Sequence, residues 1–173
     1  MENIILIGFM GTGKSTIGTA LAAKRNLIHL DLDTLIAQHE GCSIPELFSE
    51  KGETYFRDTE SRLLAQILKR RGQVISTGGG AVLCPENREI MLQKGIVVAL
   101  FADEAEIIRR VSADANRPLL AGNPAERVQA LIKERAGLYD FAPVRIDTTG
   151  KSVDEIVQEI ERLMVEQGSF RGE

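Results

Sequence analysis

Gly8-Phe9-Met10-Gly11-Thr12-Gly13-Lys14-Ser15 directly follows a short apolar run, Ile4 to Ile7, and opens a helix-forming stretch. The eight residues fit G-x-x-x-x-G-K-[ST], and the spacing has a chemical reason. Several backbone N–H groups must converge on one polyphosphate, and glycines let the main chain wrap it without Cβ clashes. The phosphate then sits at a helix N-terminus, where orphaned amides and the helix dipole both favour an anion. Lys14 would reach the β and γ phosphates as a compact positive charge, and the Ser15 hydroxyl would be a direct Mg²⁺ ligand beside them. Gly11, Thr12, Gly13, Lys14, Ser15 and Thr16 therefore read as a site for Mg·ATP or Mg·GTP.

Beyond this loop, short apolar runs alternate with helical patterns, the signature of a parallel sheet covered by helices. A first helix is expected over 14–25, laying Ile17, Ala20, Leu21 and Lys24 towards the sheet. A second strand, Leu27 to Leu30, runs into Asp31-Leu32-Asp33. On an extended segment residues two apart point the same way, so both carboxylates would face the strand end where Lys14 lies. Helix capping ahead of Leu35 and Ile36 would account for one of them instead. Ser43-Ile44-Pro45-Glu46 has the form of a capping box, and Phe56, Leu63, Leu64, Ile67 and Leu68 follow at helical spacing. On spacing alone Arg57 and Glu60, three apart, read as a solvated ion pair. Gln73 to Thr77 is a third strand ending in Gly78-Gly79-Gly80, either a place where backbone meets ligand or a plain tight turn. Cys84-Pro85 opens a further helix.

Ile96 to Phe101 is apolar almost throughout, as a central strand buried on both faces requires. Asp103 and Glu106 begin a helix carrying Arg109 and Arg110. Periodicity is then lost from Ser112 to Asn123, a stretch containing Arg117-Pro118-Leu119-Leu120 and expected to be a mobile lid. An arginine on a lid meets the transferring phosphoryl group only when the site is closed, supplying charge where it develops. Asn123-Pro124 starts the next helix, with Asn as its cap. Arg135 falls within that helix's apolar stripe, between Leu131 and Leu138, so it either turns inward to an anion or snorkels to the surface. Val144 to Asp147 is the last strand, Ser152 and Glu155 cap the last helix, and a frayed tail is expected over 167–173.

Composition restricts the function class. The 173 residues, 43% hydrophobic and 27% charged, suit a single α/β domain spanning 1–173 that buries about 70% of its unfolded surface. No apolar stretch approaches the ~20 residues of a membrane span and no targeting signal opens the chain, so a cytoplasmic location is expected. Cys42 and Cys84 form no metal or redox pattern and read as free thiols. A net charge of −4 argues against a broad nucleic-acid surface. His29 and His39 read as ordinary strand and helix positions.

A phosphate loop, a carboxylate pair, a glycine turn and a movable arginine together make a phosphoryl-transfer site. Asp33 could take an acceptor's hydroxyl proton while Arg57 and Arg135 clamp a carboxylate, which makes the acceptor a small hydroxylated acid. The segments that carry these residues are Gly8 to Thr16, Asp31-Leu32-Asp33, Phe56-Arg57 with Glu60, Thr77 to Gly80, Arg117 to Leu120, and Arg135 with Tyr139. In order and spacing they resemble the shikimate kinase family, and the resemblance runs from end to end. It implies a three-layer α/β/α kinase of the nucleoside monophosphate kinase architecture, with a five-stranded parallel sheet in the order 2-3-1-4-5, a lid near 112–123, and a monomer. The implied reaction is transfer of the ATP γ-phosphoryl group to the 3-hydroxyl of shikimate, with Mg²⁺, on the route to chorismate and the aromatic amino acids. No nucleic-acid or membrane partner is implied.

The same resemblance implies that Asp33, Arg57, Gly79 and Arg135 hold the acceptor's hydroxyls and carboxylate, with Gly78 and Gly80 beside them. Glu60 would orient Arg57, and Phe48 and Phe56 would pack nearby. Lys14, Asp33 and Arg117 would be catalytic, Asp31 would hold Mg²⁺ through water, Arg110 would lie over adenine, and Lys151 would belong to the adenine loop. The chain departs from the family in one place: the common R-x-P-x-Y is here Arg135-Ala136-Gly137-Leu138-Tyr139. Gly for Pro would loosen the helix there.

Overall fold

The computed structural model describes residues 2–113 and 123–168. Five strands, β1 (Asn3–Gly8), β2 (Ile28–Asp31), β3 (Gln73–Ser76), β4 (Gly95–Phe101) and β5 (Val144–Asp147), form one parallel sheet in the order β2-β3-β1-β4-β5. Helices α1 (Lys14–Arg25) and α7 (Val153–Glu166) cover one face, and α2 (Leu32–Glu40), α3 (Ile44–Ile67) and α4 (Pro85–Lys94) the other; α5 (Glu104–Ser112) and α6 (Pro124–Glu134) pack on each other beside them.

β1 explains the layering. All six of its residues are buried. Ile4 and Leu6 enter the cluster with Ile17, Leu21, Ile156 and Ile160, whereas Ile5 and Ile7 enter the opposite one with Leu32, Ile36 and Leu64. That is the two-residue alternation of a strand covered on both sides. With burial of such a side chain worth roughly 1.5–3 kcal/mol, this strand alone anchors both layers. Because every strand runs the same way, the loops after β1, β2 and β3 emerge side by side at the carboxyl ends of neighbouring strands, the usual crevice for ligands in such sheets.

Several expectations shift on contact with the structure. β2 starts one residue later than expected and takes in Asp31; the chain turns helical immediately, so Leu32 and Asp33 are not extended. The reason is a cap: the Asp31 carboxylate accepts a hydrogen bond from the Thr34 backbone N–H at 3.1 Å. Lys24 leaves the sheet face and pairs with Glu161 of α7 at 2.7 Å. Ser43–Glu46 and Ser152–Glu155 both form reciprocal capping boxes. Asn123 occupies the cap position of α6 without a side-chain capping bond, so Pro124 at the first position marks that start. Gln167 follows α7 and is tied through its side-chain amide to the Pro143 carbonyl at 2.9 Å. Arg117, most of the expected lid and the last five residues lie outside the described residues. Cys42 and Cys84 are free thiols. Among the described residues no helix is long and apolar enough to cross a membrane.

Candidate active site

The turn after β1 closes tightly on itself. Gly13, at the N-cap of α1, has φ 95°, a left-handed conformation that glycine adopts without penalty. Lys14 Nζ folds back over the loop and donates to the carbonyls of Gly8 at 2.8 Å and Phe9 at 2.9 Å. The Thr12 hydroxyl also donates to Phe9 O, at 2.8 Å. Across the opening, the Ser15 hydroxyl donates to the Asp31 carboxylate, whose other oxygen caps α2. A cavity of about 290 Å³ lies between this loop, Asp31, Asp33, Gly78 and Gly79.

In the glycine turn after β3, a side chain would displace charged groups that rest on the backbone. None of Gly78, Gly79 and Gly80 has positive φ, so the requirement is space and not backbone conformation. A Cβ at Gly78 would stand 2.7 Å from Asp33 Oδ1 and 3.1 Å from Glu60 Oε1. At Gly79 it would lie 3.1 Å from Arg135 Nη1, and at Gly80 2.6 Å from Arg57 Cζ. Four charged side chains from three different elements thus rest on three consecutive Cα atoms.

Arg57 and Glu60 are no solvated pair. Glu60 is fully buried and accepts from Arg57 Nη1 at 2.8 Å. Arg57 also stacks at 5.0 Å over Phe56, which in turn packs on Phe48 with ring centroids 4.6 Å apart. Burial pushes the Glu60 carboxyl up to about 6; the Arg57 guanidinium pulls the other way, and the Asp33 charge adds to the rise. Arg135 has turned inward: it follows the last residue of α6, and its guanidinium sits 5.7 Å from the Phe9 ring centre. Both Arg57 and Arg135 bury an Nε with no hydrogen-bond partner, and Glu60 Oε1 is unpaired as well. Buried, unmatched guanidinium donors are expensive unless an anion completes them. Tyr139 donates to the Gly79 carbonyl at 2.7 Å, and burial raises the pKa of its hydroxyl, which keeps it a donor.

The departure from the family's proline has a geometric account. α6 ends at Glu134, so Arg135 and Leu138 lie beyond the helix and Gly137 has φ 79°. Proline is locked near −65° and cannot take that conformation. Glycine therefore shapes a turn after the helix and does not loosen the helix itself.

Arg110 bridges two loops. Its guanidinium donates to Gly11 O at 3.0 Å and to the carbonyl and hydroxyl of Thr148 at 3.3 and 3.2 Å, and Glu106 accepts from its Nε at 2.8 Å. With Thr16 and Lys151 it lines a second cavity of about 220 Å³. Lys151 is paired with Glu159 at 2.6 Å. Thr148 and Glu106, which hold Arg110, carried no sequence signal that marked them out.

A phosphate loop at the end of a central parallel strand, with acid and guanidinium groups gathered on the neighbouring strand ends, defines a phosphate-loop kinase of the three-layer α/β class. The family model described as Shikimate kinase matches residues 10–164, and the chain belongs to the shikimate kinase family. The shikimate kinase of Geobacter metallireducens is 45% identical, over 92% of this chain and 90% of that protein. That of Pelotomaculum thermopropionicum is 41% identical, over 96% and 97%. The structure of the Acinetobacter baumannii shikimate kinase in complex with shikimate aligns with TM-score 0.91 at 37% identity, over 96% of this chain and 94% of that one. A gluconokinase from Sinorhizobium meliloti, 18% identical with TM-score 0.65, shares the fold alone.

The raised Glu60 pKa has a stability consequence. Its folded value lies above the ordinary 4.5, so the folded state holds this proton more tightly, and the associated stability is full below 4.5 and lost as pH rises through about 6. Urea titrations of wild type and Glu60→Gln at pH 4.5 and 7 should show the wild type losing about 1.5 kcal/mol relative to the variant over that interval. A constant difference would mean that Glu60 titrates normally.

Proposed function

We propose that this chain transfers the γ-phosphoryl group of ATP to the 3-hydroxyl of shikimate, giving shikimate 3-phosphate and ADP. The observation that carries this reading is the pair of guanidiniums, Arg57 and Arg135, resting on adjacent glycines beside the cavity of the phosphate loop, with the Arg135 Nε buried and without a hydrogen-bond partner. Two such groups suit a carboxylate in bidentate geometry. Asp33, on the neighbouring glycine and in the same cavity as Lys14, suits an acceptor hydroxyl.

In the reaction the acceptor oxygen attacks the γ phosphorus, the bond to the β-phosphate oxygen breaks, and the hydroxyl proton goes to the Asp33 carboxylate. Lys14 leaves its two carbonyl partners for the β and γ phosphates, which offer it full negative charge. Gly11, Thr12, Gly13 and Thr16 present the loop backbone and first helical turn to the polyphosphate. Arg117, outside the described residues, would supply positive charge to the transferring phosphoryl group. Arg110 and Lys151 flank the second cavity, whose place next to the loop suits adenine. Ser15 and Asp31 fit Mg²⁺: they are hard oxygen donors already in contact, and Mg²⁺ is held by one or two protein oxygens with water and phosphate supplying the rest. When bound, the ion neutralises charge on the β and γ phosphates. Among the described residues no cluster of three or more His, Cys, Asp or Glu competes as a metal site. The protein works as a cytoplasmic monomer.

ADP release from Mg·ATP, assayed in parallel with shikimate, gluconate, nucleoside monophosphates or no acceptor, should rise only with shikimate. Turnover with another acceptor alone would reassign Arg57 and Arg135 to a different anion, and nucleotide binding without turnover would mark a silent binding module. Removing the lid arginine, Arg117→Ala, should lower the rate on the order of 10³-fold or more; near-normal turnover removes that role. Arg135→Ala should weaken shikimate binding and largely spare Mg·ATP binding, and the reverse pattern would contradict the division of the site.

A further inference from the structure

Gly18 sits in the interior of α1, where glycine is less favourable than alanine by about 1 kcal/mol. Its neighbours explain it. A Cβ there would stand 2.5 Å from His29 Nε2 and 2.6 Å from Ser76 Oγ, so the missing methyl admits the imidazole of β2 against the helix. The ring spans three elements: Nε2 lies 2.9 Å from Ser76 Oγ on β3, and Nδ1 lies 3.1 Å from Thr19 Oγ1 on α1. Ser76 in turn donates its hydroxyl proton to the backbone carbonyl of Lys14 at 2.9 Å. Thr19 likewise donates its hydroxyl proton to the Ser15 carbonyl at 3.0 Å, so the imidazole joins two hydroxyls that each hold backbone in the first turn of α1.

We propose that His29 is a positioning residue for the nucleotide: through Ser76 it fixes the backbone of Lys14, and hence the first turn of α1, to the two strands that carry Asp31 and the glycine turn. The contact places the His29 ring one helical turn from Ser15, whose hydroxyl meets Asp31 two residues further along β2. Loss of the His29 contact leaves the Ser76 hydroxyl free to rotate away from Lys14 O, and the helix start then loses its register on the sheet. The effect should fall more on Mg·ATP than on the acceptor, because the Ser76 hydroxyl bonds the Lys14 carbonyl within the phosphate loop. This inference rests on the assignment of the 8–15 turn to the polyphosphate.

The test measures Mg·ADP affinity by calorimetry, both KM values, kcat and Tm in His29→Phe, Ser76→Ala, the double variant and His29→Gln, whose amide donates at similar reach. His29→Phe and Ser76→Ala should each weaken Mg·ADP binding and raise KM for Mg·ATP by about fivefold or more, with KM for shikimate within about twofold. The double variant should be no worse than the single ones, since both break one chain of bonds. His29→Gln should recover most of the loss, and Gly18→Ala should reproduce the His29→Phe phenotype without altering any polar group. A fall in Tm with unchanged Mg·ADP affinity, equal movement of both KM values, or failure of Gln to rescue would each overturn the proposal. Failure of the wild type to bind Mg·ADP would instead overturn the assignment of the loop, and this inference with it.

Discussion

The site depends on the absence of three β-carbons. Gly78, Gly79 and Gly80 end the strand that lies between β2 and β1, so any side chain there would project into the one place where three loops converge. With hydrogen in place of Cβ, Asp33 from α2, Arg57 and Glu60 from α3, and Arg135 from beyond α6 all reach the same short stretch of backbone. The chain thereby gathers acid and base groups from residues more than 100 positions apart without a loop devoted to the purpose. Close backbone approach, and not unusual backbone angles, is what these glycines supply.

Gathering like charges in a buried space raises a second problem, which the arrangement answers by pairing. Glu60 holds the Arg57 guanidinium at 2.8 Å, and Glu53 lies 3.6 Å from its Nε. Tyr139 fixes the Gly79 carbonyl, and Asp31 is shared between a helix cap and the Ser15 hydroxyl. Each of these contacts orients a group that would otherwise be mobile, and orientation is the main service a protein provides to phosphoryl transfer. Arg57 Nε, Arg135 Nε and Glu60 Oε1 are buried without a hydrogen-bond partner, a cost that further partners at this turn would offset.

The layered parallel sheet was legible because its signals are local: glycines at the first turn, continuous apolar strands, and capping boxes that the structure reproduces at Ser43 and Ser152. The order of the strands was not, since periodicity is silent on which strand neighbours which; that part came from family resemblance. At the site, Lys14 and Ser15 follow from motif chemistry, whereas the burial of Glu60 and the inward turn of Arg135 depend on packing between distant segments. Asp31 and Asp33 both reach the cavity with Lys14 as expected, but not along an extended strand, because the cap at Thr34 makes the segment helical. His29 was passed over for the same reason that Thr148 was, because each acts through a neighbour brought up by the fold. Gly18 was the available clue, a helix-interior glycine with no turn to make.

The most direct measurement of the central claim is calorimetric titration of Gly80→Ala with shikimate and, in the same preparation, with Mg·ADP. The three atoms nearest that methyl would all belong to the Arg57 guanidinium. Shikimate affinity should fall at least about tenfold, since a displaced charge-assisted contact is worth roughly 1.5–3 kcal/mol, while Mg·ADP affinity stays within about twofold. Unchanged shikimate binding, or equal loss of both ligands, would contradict the account in which the glycine turn separates an acceptor clamp from a nucleotide loop.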